Sequence, residues 1–205
     1  MKSKENNVSI KIKTGMYSQF RNLNNKPWFA LGEFVDNSVQ SFESNKSWFT
    51  KKYGEDCCLV VRIEIDKDQD FITIKDNAAG IGLDNYHRAF EPANIPSDNS
   101  GLHEFGMGMK TAAIWFADIW TVKTKAINED KERVVEFNLQ EVVEKEMEDL
   151  KITETPKGLD EHYTEITLRN LSHNVPRGRQ LGKIKKHLAS IYRNFIRSGD
   201  LHLFI

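Results

Sequence analysis

The chain has 205 residues and is nearly neutral, with 29 Lys plus Arg, 30 Asp plus Glu and a formal net charge of −1. Its hydrophobic content of 39% and aromatic content of 10% are typical of a globular protein and exclude a disordered tail. No stretch approaches the roughly 18 consecutive apolar residues of a membrane helix, so we expect no membrane partner.

Cysteine usage and the first residues indicate the compartment. Cys57 and Cys58 are adjacent, which provides neither a disulfide framework nor the spacing of a metal site. The polar start, MKSKENN, lacks the apolar run of a signal peptide. We therefore expect a cytoplasmic or nucleoid-associated protein.

The elements follow from hydrophobic periodicity, because a period of two indicates a strand and a period of 3.6 a helix. In chain order, the pattern predicts a short strand through Val8, Ile10 and Ile12, a helix over 27–52, strands over 59–66 and 71–75, a short helix over 83–90, a helix from about Gly106 through KTAAIWFA, a hairpin of 118–127 and 132–139, a strand over 163–168, a helix over 179–197 and a final strand, LHLFI. Residues 91–105 contain two prolines and form a long loop of the kind used as a lid.

This order of elements predicts an α+β fold with helices on one face of a mixed, mainly antiparallel sheet. We expect one domain over 1–168. Residues 169–205 then contain a basic helix and the start of a following domain, because LHLFI has the pattern of a strand and the chain ends within it.

The 27–52 helix carries polar residues away from its apolar face, which consists of Trp28, Leu31, Val35, Val39 and Phe42. Glu33 and Asn37 lie on roughly the opposite side, and Asp36 lies on its flank. One interpretation is a solvated helix face. The other is a site in which Glu33 positions water and Asn37 offers an oxygen to a hard cation.

Two glycine-containing segments and one threonine indicate a binding site. Asp76 follows a strand and precedes the turn containing Gly80 and Gly82, and the segment Gly106–Lys110 opens a helix. Glycines let backbone amides approach a phosphate, and a helix N-terminus favours negative charge. Thr164 lies in a late strand, where its hydroxyl can assist recognition of a base.

Neither GxxxxGK[ST] nor a GxGxxG after the first strand is present. The set of motifs instead resembles the ATP-binding domains of the gyrase, heat-shock chaperone, histidine kinase and MutL superfamily, whose fold is the Bergerat fold. Within it, the motifs are most similar to the microrchidia-like branch. The matching segments, in the superfamily's order, are Glu33–Ser38, Asp76–Gly82, Phe105–Lys110 and Thr164–Ile166.

The resemblance implies a role for each matching residue. Glu33 is the general base that orients the attacking water, and Asn37 binds the magnesium that bridges the phosphates. Asp76 accepts a hydrogen bond from the adenine amino group, assisted by Thr164 through water. The remaining nucleotide-binding residues that the segments imply are Asp36, Gly80, Gly82, Gly106, Met107, Gly108, Met109 and Lys110.

Lys110 has two interpretations, a phosphate contact or a solvated lysine on a helix. Three residues depart from the superfamily's pattern. Ala78 stands where a glycine is common, so that turn must tolerate a Cβ. His103 replaces a lid glycine, and Tyr163 replaces the glycine before the threonine.

Charge is strongly segregated near the end of the chain. Residues 141–161 carry eight acids against three lysines, whereas residues 169–197 carry eight basic residues and no acid. In the 179–197 helix, an apolar face formed by Leu181, Ile184, Leu188, Ile191 and Phe195 opposes a basic face. That basic face is solvated, paired with the acidic stretch, or in contact with a nucleic-acid backbone.

Two functions follow from these observations. The first is a magnesium-dependent ATPase in which ATP closes the 91–105 lid and drives conformational change or dimerisation of a longer protein. The second is a nucleotide-gated module that binds nucleic acid or protein without significant hydrolysis. A histidine kinase fits less well, because no helical dimerisation segment carries a phosphoacceptor histidine.

Overall fold

A computed structural model describes residues 16–66, 68–90 and 108–205 of the chain. The helices are α1 (Tyr17–Phe20), α2 (Pro27–Ser44), α3 (Lys46–Tyr53), α4 (Tyr86–Phe90), α5 (Gly108–Phe116), α6 (Leu139–Glu144), α7 (Gln180–Ile191) and α8 (Arg193–Ser198). The strands are β1 (Leu59–Asp66), β2 (Phe71–Asp76), β3 (Ala117–Lys125), β4 (Lys131–Asn138), β5 (Ile152–Pro156), β6 (Tyr163–Leu171) and β7 (Leu201–Phe204).

The described strands form one sheet in the order β5-β4-β3-β6-β2-β1-β7. Every neighbouring pair is antiparallel except β1 and β7, which are parallel. The predicted α+β fold with a mixed, mainly antiparallel sheet is therefore confirmed. The predicted first strand and the predicted 91–105 lid lie outside the described residues, as do Gly106 and Met107.

Helices α2 and α5 cover one face of the sheet and bury the core. The inward residues of the strands, such as Val61, Ile74 and Leu168, are buried with Phe34 of α2 and Ile114 of α5. The predicted core segment Ile114–Phe116 is fully or almost fully buried. None of the described helices has the length and apolar character needed to cross a bilayer.

Within the described part of the chain, the opposite face of the sheet carries ion pairs rather than a second helical layer. Glu165 lies between Lys75 and Lys123, at 3.4 Å and 2.8 Å respectively. Arg169 of β6 pairs with Glu136 of β4 at 2.5 Å. These alternating positions are the polar side of strands whose other side is buried.

The predicted 27–52 helix is divided at Asn45. The Asn45 side chain donates to the Ser41 carbonyl oxygen at 2.8 Å, which is the acceptor that its own backbone N–H would use in a continuous helix. The backbone N–H bonds Phe42 instead. The chain then restarts as α3, and the Phe49 ring stacks on Phe42 with centroids 4.6 Å apart.

The predicted 179–197 helix is also divided, at Tyr192. The prediction that Ile191 lies on the buried face is wrong, because Ile191 is 47% exposed and Tyr192 is only 3% exposed. Tyr192 follows Leu188 by four residues, so it continues the buried stripe through Ile184 and Leu188. The acidic stretch contains α6 and β5, which periodicity did not predict.

Candidate functional site

Helix α2 presents Glu33 and Asn37 to a partly covered space. Both residues are half-buried, so this side of α2 is not the solvated helix face that one interpretation of the sequence predicted. Among the described residues, no hydrogen bond or ion pair engages the Glu33 carboxylate. Burial, and secondarily the charge of Asp36, raise the pKa of Glu33 above its usual value. A carboxylate with a raised pKa is a stronger proton acceptor than an ordinary glutamate, which suits a general base.

Gly108, the first residue of α5, lies directly against Glu33. A Cβ on Gly108 would overlap the carboxylate and approach its Cδ to 2.8 Å. Only glycine therefore allows the Glu33 carboxylate to reach the first turn of α5. The free backbone amides of that turn attract negative charge. The structure thus brings together two predicted site residues that are 75 positions apart.

Asn37 is oriented by the backbone of its own helix. Its Nδ2 donates to the Glu33 carbonyl oxygen at 2.7 Å. In the described part of the chain no donor bonds its Oδ1, so this oxygen faces away from the helix backbone with unused acceptor capacity. An amide oxygen beside a carboxylate is the kind of donor set that Mg²⁺ accepts, together with phosphate oxygens and water.

Asp76 is the last residue of β2 and is buried beneath α2. Its Oδ2 accepts from the Ser38 hydroxyl at 2.6 Å, and its Oδ1 accepts from the backbone N–H groups of Ala78 and Thr164 at 3.0 Å and 3.1 Å. Burial raises the pKa of Asp76, although these hydrogen bonds and His162 oppose the rise. The carboxyl group is therefore held in one orientation by three parts of the chain.

Thr164 lies beside Asp76 on β6 and is also buried. Its hydroxyl is 3.2 Å from the Thr124 hydroxyl, and Thr124 in turn donates to the Tyr163 carbonyl oxygen. The Ile81 backbone N–H donates to the Thr124 hydroxyl at 2.9 Å. The predicted pair of Asp76 and Thr164 thus adjoins the glycine-containing turn.

Glycine is required at position 80 because the turn that contains it packs closely against the end of β3. Gly80 has a φ of +73°, and a Cβ there would lie 2.6 Å from the Lys125 carbonyl carbon and 2.7 Å from the Ala126 Cα. Gly82 has more space, because a Cβ at that position would approach only the Glu129 carboxylate, at 3.2 Å. Ala78 is buried without a positive φ, so the turn does tolerate this Cβ.

A family model described as histidine kinase-, DNA gyrase B- and HSP90-like ATPase matches residues 25–169. The match covers well over half of the 205 residues. The chain belongs to this ATPase family. The predicted superfamily is therefore confirmed, and membership supports ATP binding in general terms. The microrchidia-like branch stays a prediction. A comparison with curated protein sequences finds no match to the chain.

The start of helix α5 is more buried than the sequence indicated. Lys110 is only 3% exposed, so the interpretation as a solvated lysine is wrong. Met109 packs against the core, and Gly108 lies against Glu33. Burial of Lys110 follows from its place in the first turn of α5, which packs on α2.

The residues that support the site were not predicted from the sequence. Ser38 fixes Asp76, and Thr124 links Thr164 to the turn. Two further residues support the site. The His162 ring contacts the Ala78 carbonyl oxygen through Nδ1 at 3.0 Å and the Tyr53 hydroxyl through Nε2 at 2.8 Å. Tyr192, which directly follows α7, donates to Asp36. Two of the supporting residues had a local signal: Ser38 ends the matched segment Glu33–Ser38, and Tyr192 is the residue four positions after Leu188.

Proposed function

We propose that this ATPase-family domain binds ATP with Mg²⁺ and hydrolyses it slowly. We further propose that ATP closes the 91–105 lid and drives conformational change or dimerisation of a longer protein. The observation that carries the proposal is the contact between the half-buried Glu33 carboxylate and Gly108 at the start of α5. This contact joins a candidate base to a helix end that favours phosphate.

The described residues suit the two ends of a nucleotide. Asp76 and Thr164 offer a buried acceptor and a hydroxyl for a base at one end. Glu33 and Asn37 offer a carboxylate and a free amide oxygen at the other. Phosphoryl transfer depends on positioning and charge stabilisation more than on covalent chemistry, so this distribution supports the proposal of slow hydrolysis.

Magnesium would be held by the Asn37 Oδ1 together with phosphate oxygens and water. The fit rests on the unused acceptor capacity of that oxygen, because Mg²⁺ in such sites takes few protein ligands. The bound ion supplies neutralisation of phosphate charge. The residues of this chain orient the nucleotide and hold the proton-accepting carboxylate.

Replacing Asp76 with asparagine is expected to weaken ATP binding at least about 10-fold while the fold is kept, since one hydrogen bond to a charged acceptor is worth about 1.5–3 kcal/mol. The asparagine Oδ1 can still accept from Ala78 and Thr164, and its Nδ2 can donate to Ser38, whose hydroxyl also reaches the Phe34 carbonyl. Calorimetry with ATP measures the loss.

The matched control for this test is Asp66→Asn, because Asp66 ends β1 as Asp76 ends β2 but lies at the other end of this antiparallel pair, opposite Phe71. We expect wild-type affinity for the control. Equal affinity of Asp76→Asn and wild type would refute the adenine role of Asp76. Absence of ATP binding by the wild-type chain would refute the proposed function as a whole.

A second candidate function is contact with nucleic acid, and one observation favours it. The basic surface consists of Arg177, Arg179, Lys183, Lys185, Lys186, Arg193 and Arg197. All seven are exposed, and among the described residues none forms an ion pair. The acidic stretch pairs elsewhere, for example Asp160 with Lys52 and Glu154 with Lys131. Arg169 is engaged by Glu136 and does not belong to the surface.

We expect DNA affinity to fall steeply with salt if the basic surface contacts the backbone. Each neutralised phosphate contributes about −0.9 to the slope of log affinity against log salt, so the triple variant Lys183/Lys186/Arg193→Gln should reduce the slope by about 2–3. Fluorescence anisotropy of duplex DNA at several salt concentrations measures this slope. The control variant Lys26/Lys51/Lys151→Gln removes three other exposed charges and should keep the slope. Equal slopes in the two variants would contradict this candidate.

A further inference from the structure

Three polar residues form a row across neighbouring strands at the end of the candidate site that suits a base. In the register of the sheet, Thr164 of β6 pairs with Asp76 of β2 on one side and with Thr124 of β3 on the other. All three are buried, with exposed fractions of 9% or less. Because buried polar groups need hydrogen-bond partners, the protons in this row have defined positions.

The turn that follows β2 is fastened to both ends of this row. The Ala78 backbone N–H donates to Asp76 at 3.0 Å, and the Ile81 backbone N–H donates to the Thr124 hydroxyl oxygen at 2.9 Å. Strand β6 lies between β2 and β3, so the turn crosses the row from one side to the other. The Thr124 hydroxyl therefore already accepts one hydrogen bond.

The Thr124 hydroxyl has one proton and two acceptors within reach. The Tyr163 carbonyl oxygen lies at 3.0 Å and the Thr164 hydroxyl oxygen at 3.2 Å. The peptide carbonyl is both the closer and the stronger acceptor, so it takes the proton. The Ile81 N–H uses one lone pair of the Thr124 oxygen. The other lone pair then accepts the proton of Thr164.

The direction of this last hydrogen bond decides what Thr164 can offer to a nucleotide base. With its proton donated to Thr124, the Thr164 oxygen retains only acceptor capacity. Both oxygens of Asp76 also accept hydrogen bonds. The side chains of Asp76 and Thr164 thus present acceptors to a base, which suits an exocyclic amino group. A carbonyl oxygen in the same place would set acceptor against acceptor.

We propose that Thr124 is a positioning residue that makes the site select amino-bearing bases, because it holds the Thr164 proton away from the nucleotide. The effect on nucleotide choice rests on the proposed function, in which Asp76 and Thr164 receive the base. The direction of the hydrogen bond is a property of the chain without nucleotide. A site that leaves a ligand's polar group unpaired discriminates strongly against that ligand.

Thr124→Val removes the hydroxyl from a side chain of similar shape and frees the Thr164 proton to donate to a bound base. Inosine triphosphate is the probe, since it carries a carbonyl oxygen where ATP carries the amino group. The ratio of ATP affinity to inosine triphosphate affinity should fall about 5-fold, which corresponds to one net hydrogen bond. Calorimetry with the two nucleotides measures this ratio.

Two further variants distinguish this role from a purely structural one. Thr124→Ser keeps the hydroxyl and should restore the wild-type ratio. Thr121→Val is the matched control, because Thr121 lies on the same strand but its hydroxyl bonds Glu136 on the opposite face of the sheet, at 3.2 Å. This control should keep the wild-type ratio. If Thr124 only stabilised the turn, Thr124→Val would weaken both nucleotides by the same factor.

The direction of the hydrogen bond can also be tested without nucleotide, by NMR of threonine hydroxyl protons in the wild-type chain. We expect slow exchange with water for the hydroxyl protons of both Thr124 and Thr164. In the opposite direction, Thr164 would have no acceptor and its proton would exchange rapidly. In Thr124→Val, the Thr164 proton should lose its protection.

A rapidly exchanging Thr164 hydroxyl in the wild-type chain overturns the proposal, whether or not Thr124→Val folds. An unchanged ratio of ATP to inosine triphosphate affinity in Thr124→Val overturns it as well. Absence of ATP binding by the wild-type chain would refute the proposed function and the selection of bases with it, whereas the exchange measurement alone decides the direction of the hydrogen bond.

Discussion

Replacing Glu33 with glutamine is expected to lower ATP turnover by about 100-fold or more and to change ATP affinity little. General base catalysis contributes a factor of about 10²–10⁴, and glutamine keeps the shape of the side chain without its basicity. The Glu33 carboxylate has no hydrogen bond or ion pair within the described residues, so the substitution breaks no structural contact there. Single-turnover hydrolysis and calorimetry measure the two effects separately.

Glu43→Gln is the matched control, because Glu43 lies on the same helix but on its exposed last turn, 3.6 Å from Lys46. We expect the control to retain wild-type turnover. Unchanged turnover in Glu33→Gln would remove Glu33 from the base role. Combined with retained ATP binding, that result would favour the nucleotide-gated binding module over the ATPase.

The assignment of Glu33 as general base also predicts the direction in which ATP turnover changes with pH. A general base must be deprotonated, so turnover should decrease as the pH falls through the pKa of Glu33. Burial and Asp36 raise that pKa, so the decrease should begin at a higher pH than for an ordinary glutamate. A turnover that stays constant down to the usual glutamate range would contradict the assignment.

Replacing Gly80 with alanine is expected to lower the free energy of unfolding by about 3 kcal/mol, which corresponds to a decrease in Tm of roughly 10 °C for a chain of this size. Two costs add in this variant. A φ of +73° is unfavourable for a residue with a Cβ, and the new methyl group would lie 2.6 Å from the carbonyl carbon of Lys125. The atoms nearest to the new methyl group belong to the backbone of Lys125, the last residue of β3, and of Ala126. Backbone atoms cannot rotate away as a side chain can.

Gly199→Ala separates the two costs. Gly199 is also in the left-handed region, with a φ of +84°, but no atom lies within 4 Å of its Cβ position. We expect this control to lose only about 1 kcal/mol, from the backbone conformation alone. Equal Tm values for the two variants would show that the approach of Gly80 to β3 is not what requires glycine. Differential scanning calorimetry without nucleotide measures both.

Most helices and strands could be predicted, in order and type, from the amino-acid sequence. Alternation predicted β1 and the β3–β4 hairpin, because burial on one face of a strand leaves a period of two in the chain. The four ordered motifs identified the superfamily, since the residues within each motif are close in the chain. Features of this kind are local, and local patterns are visible in the amino-acid sequence itself.

The contacts between distant side chains became visible only in the folded chain. Ser38 and Asp76 share a hydrogen bond across 38 residues, and Tyr192 reaches Asp36 across 156. Gly80 is a third case, because it packs against the backbone at the end of β3. The spacing of the residues within its own turn does not indicate that contact. Long-range packing also buried a lysine of α5, against the expectation for that residue type. Such contacts depend on how strands and helices are arranged in space, so the periodicity of single segments does not encode them.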